Sequence, residues 1–98
     1  MTTALVLLTI ARDKVTTVAQ LLAEMPGITE VYSVAGRFDL VAVIRAKESD
    51  QLAALVTDAI RKVDGIEKSE TLIAFRVYSR YDLEMAFSLG SLGSEEIH

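Results

Sequence analysis

The chain has 98 residues, 51% of them hydrophobic, with no cysteine, one histidine and a net charge of −4. That length holds one domain with a modest core, and the missing cysteines exclude disulfides and thiolate chemistry. Its ten Lys and Arg are scattered through an acidic background, which argues against autonomous nucleic-acid binding.

Mean hydropathy is +0.35, high for a small soluble monomer. No run of about 18 uncharged apolar residues is available to cross a bilayer, and the N-terminus lacks the basic stretch of a signal peptide. A cytoplasmic protein with no membrane association is expected.

Residues 4–10, Ala-Leu-Val-Leu-Leu-Thr-Ile, form a nearly continuous apolar run, the signature of a strand buried on both faces. Asp13 is a candidate helix N-cap. Val15, Val18, Ala19, Leu22 and Met25 then fall on one helical stripe. Pro26 pushes Met25 out of helical dihedrals, and Gly27 supplies the turn. Residues 28–35 read as a second strand, and residues 38–46 as a third whose stretch Leu40-Val41-Ala42-Val43-Ile44 is again apolar on both faces. Ser49 or Asp50 is expected to cap a second helix, with Leu52, Leu55, Val56, Ala59, Ile60 and Val63 on its buried stripe. Asp64-Gly65 ends that helix, and residues 67–78 complete a fourth strand.

The pattern strand–helix–strand therefore occurs twice, over residues 4–34 and 40–77. This predicts an α+β, ferredoxin-like βαββαβ fold: a four-stranded antiparallel sheet with two helices on one face. Residues 1–78 form the expected domain, and 79–98 a tail. Within the tail, Tyr81, Leu83, Met85, Ala86, Phe87 and Leu89 suggest a short helix before a frayed end. Two helices leave one sheet face bare, with roughly several hundred Å² of apolar surface to cover. A second copy packed sheet to sheet is the simplest cover, a dimeric α/β-barrel-type assembly.

Three groups of residues carry possible function. Gly36-Arg37-Phe38-Asp39 connects the repeats. Gly36 permits positive φ and close approach to the backbone, and Asp39 is able to bond the turn's own N–H groups. The segment is either an ordinary hairpin turn or a ligand-contacting loop. Arg37 suits a carboxylate bidentately or a solvated surface position. Ser69 and Thr71 share one face of the fourth strand, where their hydroxyls bind a small polar ligand or bond across strands. Residues 76–82 mix Arg and Tyr and suit interface packing. With His98 the only histidine and no clear inward-facing carboxylate cluster, neither a Ser–His arrangement nor a zinc site is supported; no cofactor and no enzymatic activity are expected.

Together the segments Met25-Pro26-Gly27-Ile28, Val34-Ala35-Gly36-Arg37-Phe38-Asp39-Leu40, Val63-Asp64-Gly65-Ile66 and Ser69-Glu70-Thr71 resemble the effector-binding (RAM) domain of the Lrp/AsnC transcriptional regulators, over about residues 4–78. The resemblance implies a βαββαβ fold that dimerises through its sheets, with dimers often joined into rings of four. It implies an amino acid or related effector bound between dimers, held by backbone groups of Gly36, Arg37, Phe38 and Asp39 with help from Ser69 and Thr71. Ser69 stands where the family more often has Thr. Family regulators carry a helix-turn-helix domain ahead of this one. A chain starting at the first strand is expected to resemble the stand-alone members, sensing effectors or assembling with full-length Lrp/AsnC regulators. A ligand-free assembly partner and, less favoured, a small dimeric α/β-barrel enzyme are the alternatives. An ACT-type regulatory domain shares the topology.

Overall fold

The computed structural model describes residues 1–78 and Arg80. The expected tail helix, and the domain boundary before it, lie outside these residues. Strand β1 (Thr2–Ile10) leads through a 3-10 turn (Arg12–Lys14) into helix α1 (Val15–Ala23). Strands β2 (Ile28–Ser33) and β3 (Leu40–Ala46) flank the 36–39 loop. Helix α2 (Ser49–Ala54) runs on through a wider π-type turn (Leu55–Ala59) and a 3-10 turn (Ile60–Lys62) to β4 (Ile66–Ala74). The sheet order is β2-β3-β1-β4, and every pairing is antiparallel.

The alternation along β1 decides which face is which. Ala4, Val6, Leu8 and Ile10 are buried and join Val18 and Leu22 of α1, Leu52 of α2 and Ile60 in one core. Residues from both helices meet the same strand face, so both helices cover that face. The β1–β3 register puts Leu40, Ala42 and Ile44 on it as well. Both predicted helical stripes point inward: Val15, Ala19 and Met25 of the first, and Leu55, Val56 and Val63 of the second, pack against this core.

The opposite face carries Leu5 and Leu7 of β1, Val41 and Val43 of β3, and Leu72 of β4, aligned by register. Val43 is buried, Leu5, Leu7 and Val41 are half-buried, and Leu72 remains 42% exposed. The expectation of burial on both faces thus holds for one face only within a single chain. The rim of the bare face is polar. Tyr32 donates to Glu30 at 2.9 Å, and Arg45 Nη1 donates to Thr29 Oγ1 at 3.1 Å. The Glu30 carboxylate, as acceptor and as neighbouring charge, pushes the Tyr32 phenol upward from its ordinary value.

Two capping expectations are corrected. Asp13 does not cap α1: it sits inside the 3-10 turn, and no side chain caps either that turn or the helix. Ser49 and Asp50 do not cap α2; they form its first turn, behind Glu48 in extended geometry. Three expected strand ends also retract. β2 stops at Ser33, β3 begins at Leu40, and β4 runs from Ile66 to Ala74. Beyond Ala74 there is almost no β1 left to pair with, because Thr3 already lies opposite Ala74.

A second tie holds β4 in place. Gly65 (φ +106°) packs so closely that a Cβ there would lie 2.9 Å from Lys14 Cδ. The Lys14 ammonium pairs with Asp64 and holds that carboxyl below the usual range. A carboxyl depressed in the folded state stabilises the fold above its unfolded value of about 4 and loses that contribution as pH falls through the lower folded value. Because Asp64 is solvent-exposed, the effect is small. Lys14→Met keeps the stem over Gly65. Its melting curve is expected to lie slightly below wild type at neutral pH and to merge with it in strong acid. A constant gap at all pH values would assign the loss to packing instead.

Candidate functional site

Three hydrogen bonds latch the 36–39 loop, two of them to β1. The Asp39 carboxylate accepts from the Ile10 backbone N–H at 2.8 Å. The Asp39 N–H donates to the Leu8 carbonyl at 2.8 Å, and the Val34 N–H donates to the Asp39 carbonyl at 3.0 Å. The backbone bond from Val34 closes the loop, while the Asp39 carboxylate anchors its end to β1 instead of bonding the turn's own N–H groups, the arrangement expected from the sequence. Gly36 has φ +135° and no atom within 4 Å of where a Cβ would sit. The glycine is required there by its dihedral, not by crowding. The loop backbone at that position faces open space. Gly36 and Arg37 are exposed, while Phe38 and Asp39 are half-buried. The Arg37 guanidinium lies over the Phe38 ring, 5.7 Å from its centroid, which steadies the loop's outer edge.

Ser69 and Thr71 do share one strand face, as period-2 alternation requires. They lie opposite Leu8 and Val6, so they are on the helix side of β4. Ser69 is exposed and Thr71 half-buried. Leu8 relates them to the loop: its carbonyl takes the Asp39 N–H on the β3 side, and Ser69 pairs with it on the β4 side. Two strand spacings separate the two groups, roughly 10 Å. The six expected residues thus fall in two patches: the loop and Ser69 near the Leu8–Ile10 end of β1, and Thr71 opposite its midpoint, Val6.

Sequence reasoning missed the partners that shape the loop, the backbone atoms of Leu8, Ile10 and Val34. Main-chain atoms carry no residue signature, and only the topology brings β1 beside the loop. It also missed two clefts along α2. One, of about 630 Å³, opens between the Pro26-Gly27 turn and Leu55, with Lys47 and Asp58 on its rim. The other, of about 300 Å³, lies between α2 and β4, and Thr71 lines it. Among the described residues no group of His, Cys, Asp or Glu is arranged to hold a metal ion, and no helix is long and apolar enough to cross a membrane.

An all-antiparallel βαββαβ sheet with a latched connector between its repeats defines a domain of the ferredoxin-like class. The Lrp/AsnC ligand binding domain model matches residues 3–83. The chain belongs to the Lrp/AsnC family. It is similar to TTHA0845 of Thermus thermophilus, with 44% identity, TM-score 0.76, and coverage of 82% of this chain and 100% of that one. It is 33% identical to the HTH-type transcriptional regulator FL11 of Pyrococcus furiosus, over 76% of this chain and 49% of the regulator. The fold is shared with the transcriptional regulator NMB0573 of Neisseria meningitidis, solved as a complex with L-Met, at TM-score 0.72 and 14% identity over 81% of this chain and 53% of that one. The chain spans between 39% and 51% of the curated relatives it matches. Those relatives are named as transcriptional regulators, and the part of the family that this chain matches is its ligand binding domain.

Proposed function

We propose that the chain is a non-enzymatic sensing and oligomerisation module that binds an amino acid or related small effector between dimers. The observation that carries this reading is the latched loop: the Val34–Asp39 bond closes it, Asp39 anchors it to β1, and its backbone at Gly36 faces open space. Preformed backbone donors and acceptors suit the ammonium and carboxylate of an amino acid, and their fixed geometry lowers the ordering cost of binding. The gap between the loop and the Ser69–Thr71 hydroxyls supports completion of the site by a neighbouring dimer, as happens where dimers close into a ring. The bare apolar sheet face supports the dimer itself. Effector binding at such a junction shifts assembly by the ligand's differential affinity for the assembled state.

Thermal unfolding of the chain against each of the twenty amino acids at millimolar concentration tests the proposal. A ligand that binds only the folded state raises stability by about 2.7 kcal/mol at a hundredfold excess over Kd. The expected result is a selective upward shift for one or a few amino acids, absent in Gly36→Val, whose melting without ligand serves as its own baseline. No shift with any of the twenty would leave a ligand-free assembly partner as the function, and co-purification with a full-length regulator would then be the relevant assay.

A further inference from the structure

Away from the loop, the helix face of β4 is incompletely covered by α2. Ile73 lies opposite Ala4 on that face, yet it is 50% exposed while Ala4 is fully buried. The space left over is the cleft of about 300 Å³ between α2 and β4. Leu52, Val56 and Ile73 form its apolar surface, and Ser49, Thr57 and Thr71 bring hydroxyls to it.

Four observations together say what it accepts. Its volume falls at the low end of small-molecule clefts, and its lining has the usual form, an apolar surface with a few polar groups. None of its lining residues is charged, so neither a carboxylate nor an ammonium finds a counter-charge there. Among the described residues, the Ser49, Thr57 and Thr71 hydroxyls bond to no other protein group, which leaves them free to orient a ligand. Val56 and Thr57 belong to the π-type turn Leu55–Ala59, a local widening of the kind found often at functional sites.

We infer that this cleft is a second binding site, for a small uncharged and mainly apolar molecule carrying one hydrogen-bonding group. It differs in chemistry from the loop, whose backbone groups suit a zwitterion, and Thr71 is the one residue it shares with the effector site proposed above. Such a ligand would wedge between α2 and β4 and be held chiefly by apolar contact, with Thr71 or Thr57 fixing its polar end.

Methyl NMR of the full chain tests this with cyclohexanol as probe and cyclohexanecarboxylate as a charged control of similar shape. Cyclohexanol is expected to produce saturable shifts of the Leu52, Val56 and Ile73 methyls, and the carboxylate to bind at least tenfold more weakly. Ala53→Phe, which adds a ring at the lining, is expected to abolish the shifts. Thr71→Val, close to isosteric and safe for folding should the first variant fail to fold, is expected to weaken binding severalfold. Equal affinity for the two probes, no saturable shift at those methyls, or shifts unchanged in both variants would overturn the inference. So would Overhauser contacts, without probe, from those methyls to residues 81–98 or to a second copy of the chain, since either would identify the cleft as already occupied.

Discussion

Replacing Leu5 with glutamate is expected to split the proposed sheet-to-sheet dimer into monomers at micromolar concentration while leaving each chain folded. Leu5 sits at the centre of the bare sheet face, between Val43 of β3 and Leu72 of β4. In an isolated chain the new carboxylate reaches water, so the folded monomer tolerates it. In a two-fold dimer packed through this face, the same residue contacts the partner from both sides. Two carboxylates then lose their hydration among apolar neighbours, and the cation next along β3, Arg45, is already bonded to Thr29 at the rim. The effective cost of burying an unpaired charge is several kcal/mol, and each 1.4 kcal/mol is tenfold in the dissociation constant. A weakening of about a hundredfold or more is the expected size. Sedimentation velocity across a concentration series reads it directly, with circular dichroism confirming the fold. A variant that stays dimeric with unchanged affinity would move the interface elsewhere, and a wild-type chain that is monomeric at the same concentrations would remove the sheet-to-sheet dimer from the proposal.

The same face shows what was legible in the sequence. The run Ala4-Leu5-Val6-Leu7-Leu8 announced a strand with two apolar faces, and the fold accounts for one of them through α1 and α2. The other is visible in sequence as an excess of apolar residues, because alternation says how many faces need cover without saying what covers them. Helix positions were legible because their stripes repeat every three or four residues. Helix starts were not: Asp13 and Ser49 have the chemistry of caps, but the chain enters α1 through a 3-10 turn and α2 from an extended Glu48. Capping preference is worth about 1 kcal/mol, too little to resist the tertiary packing that sets these entries. Ser69 and Thr71 were correctly placed on one face, since parity alone decides that. Which face it was, and how far from the loop, depended on the order β2-β3-β1-β4.

Asp39→Ala is expected to lower both stability and effector affinity, and the two losses have different origins. The carboxylate accepts from the Ile10 N–H at 2.8 Å in a part-buried position. Its removal strands that N–H, at a cost of about 1–3 kcal/mol. In a domain of this size each kcal/mol moves Tm by roughly 4–8 °C. The backbone bonds to Leu8 and from Val34 do not involve the side chain, so the sheet register survives and the variant remains folded. The loop, however, loses the bond that ties its last residue to the end of β1. Gly36, Arg37 and Phe38 then sample more conformations, and a ligand must order them on binding, which is expected to weaken affinity about tenfold. Asp39→Asn retains an acceptor oxygen for the Ile10 N–H and is expected to recover most of both losses. Thermal melts and calorimetric titration with whichever amino acid stabilises wild type separate the outcomes. An unchanged Tm would mean that the latch contributes nothing to the fold. A lowered Tm with unchanged affinity would mean that Asp39 serves the strand end alone and that the effector binds away from this loop.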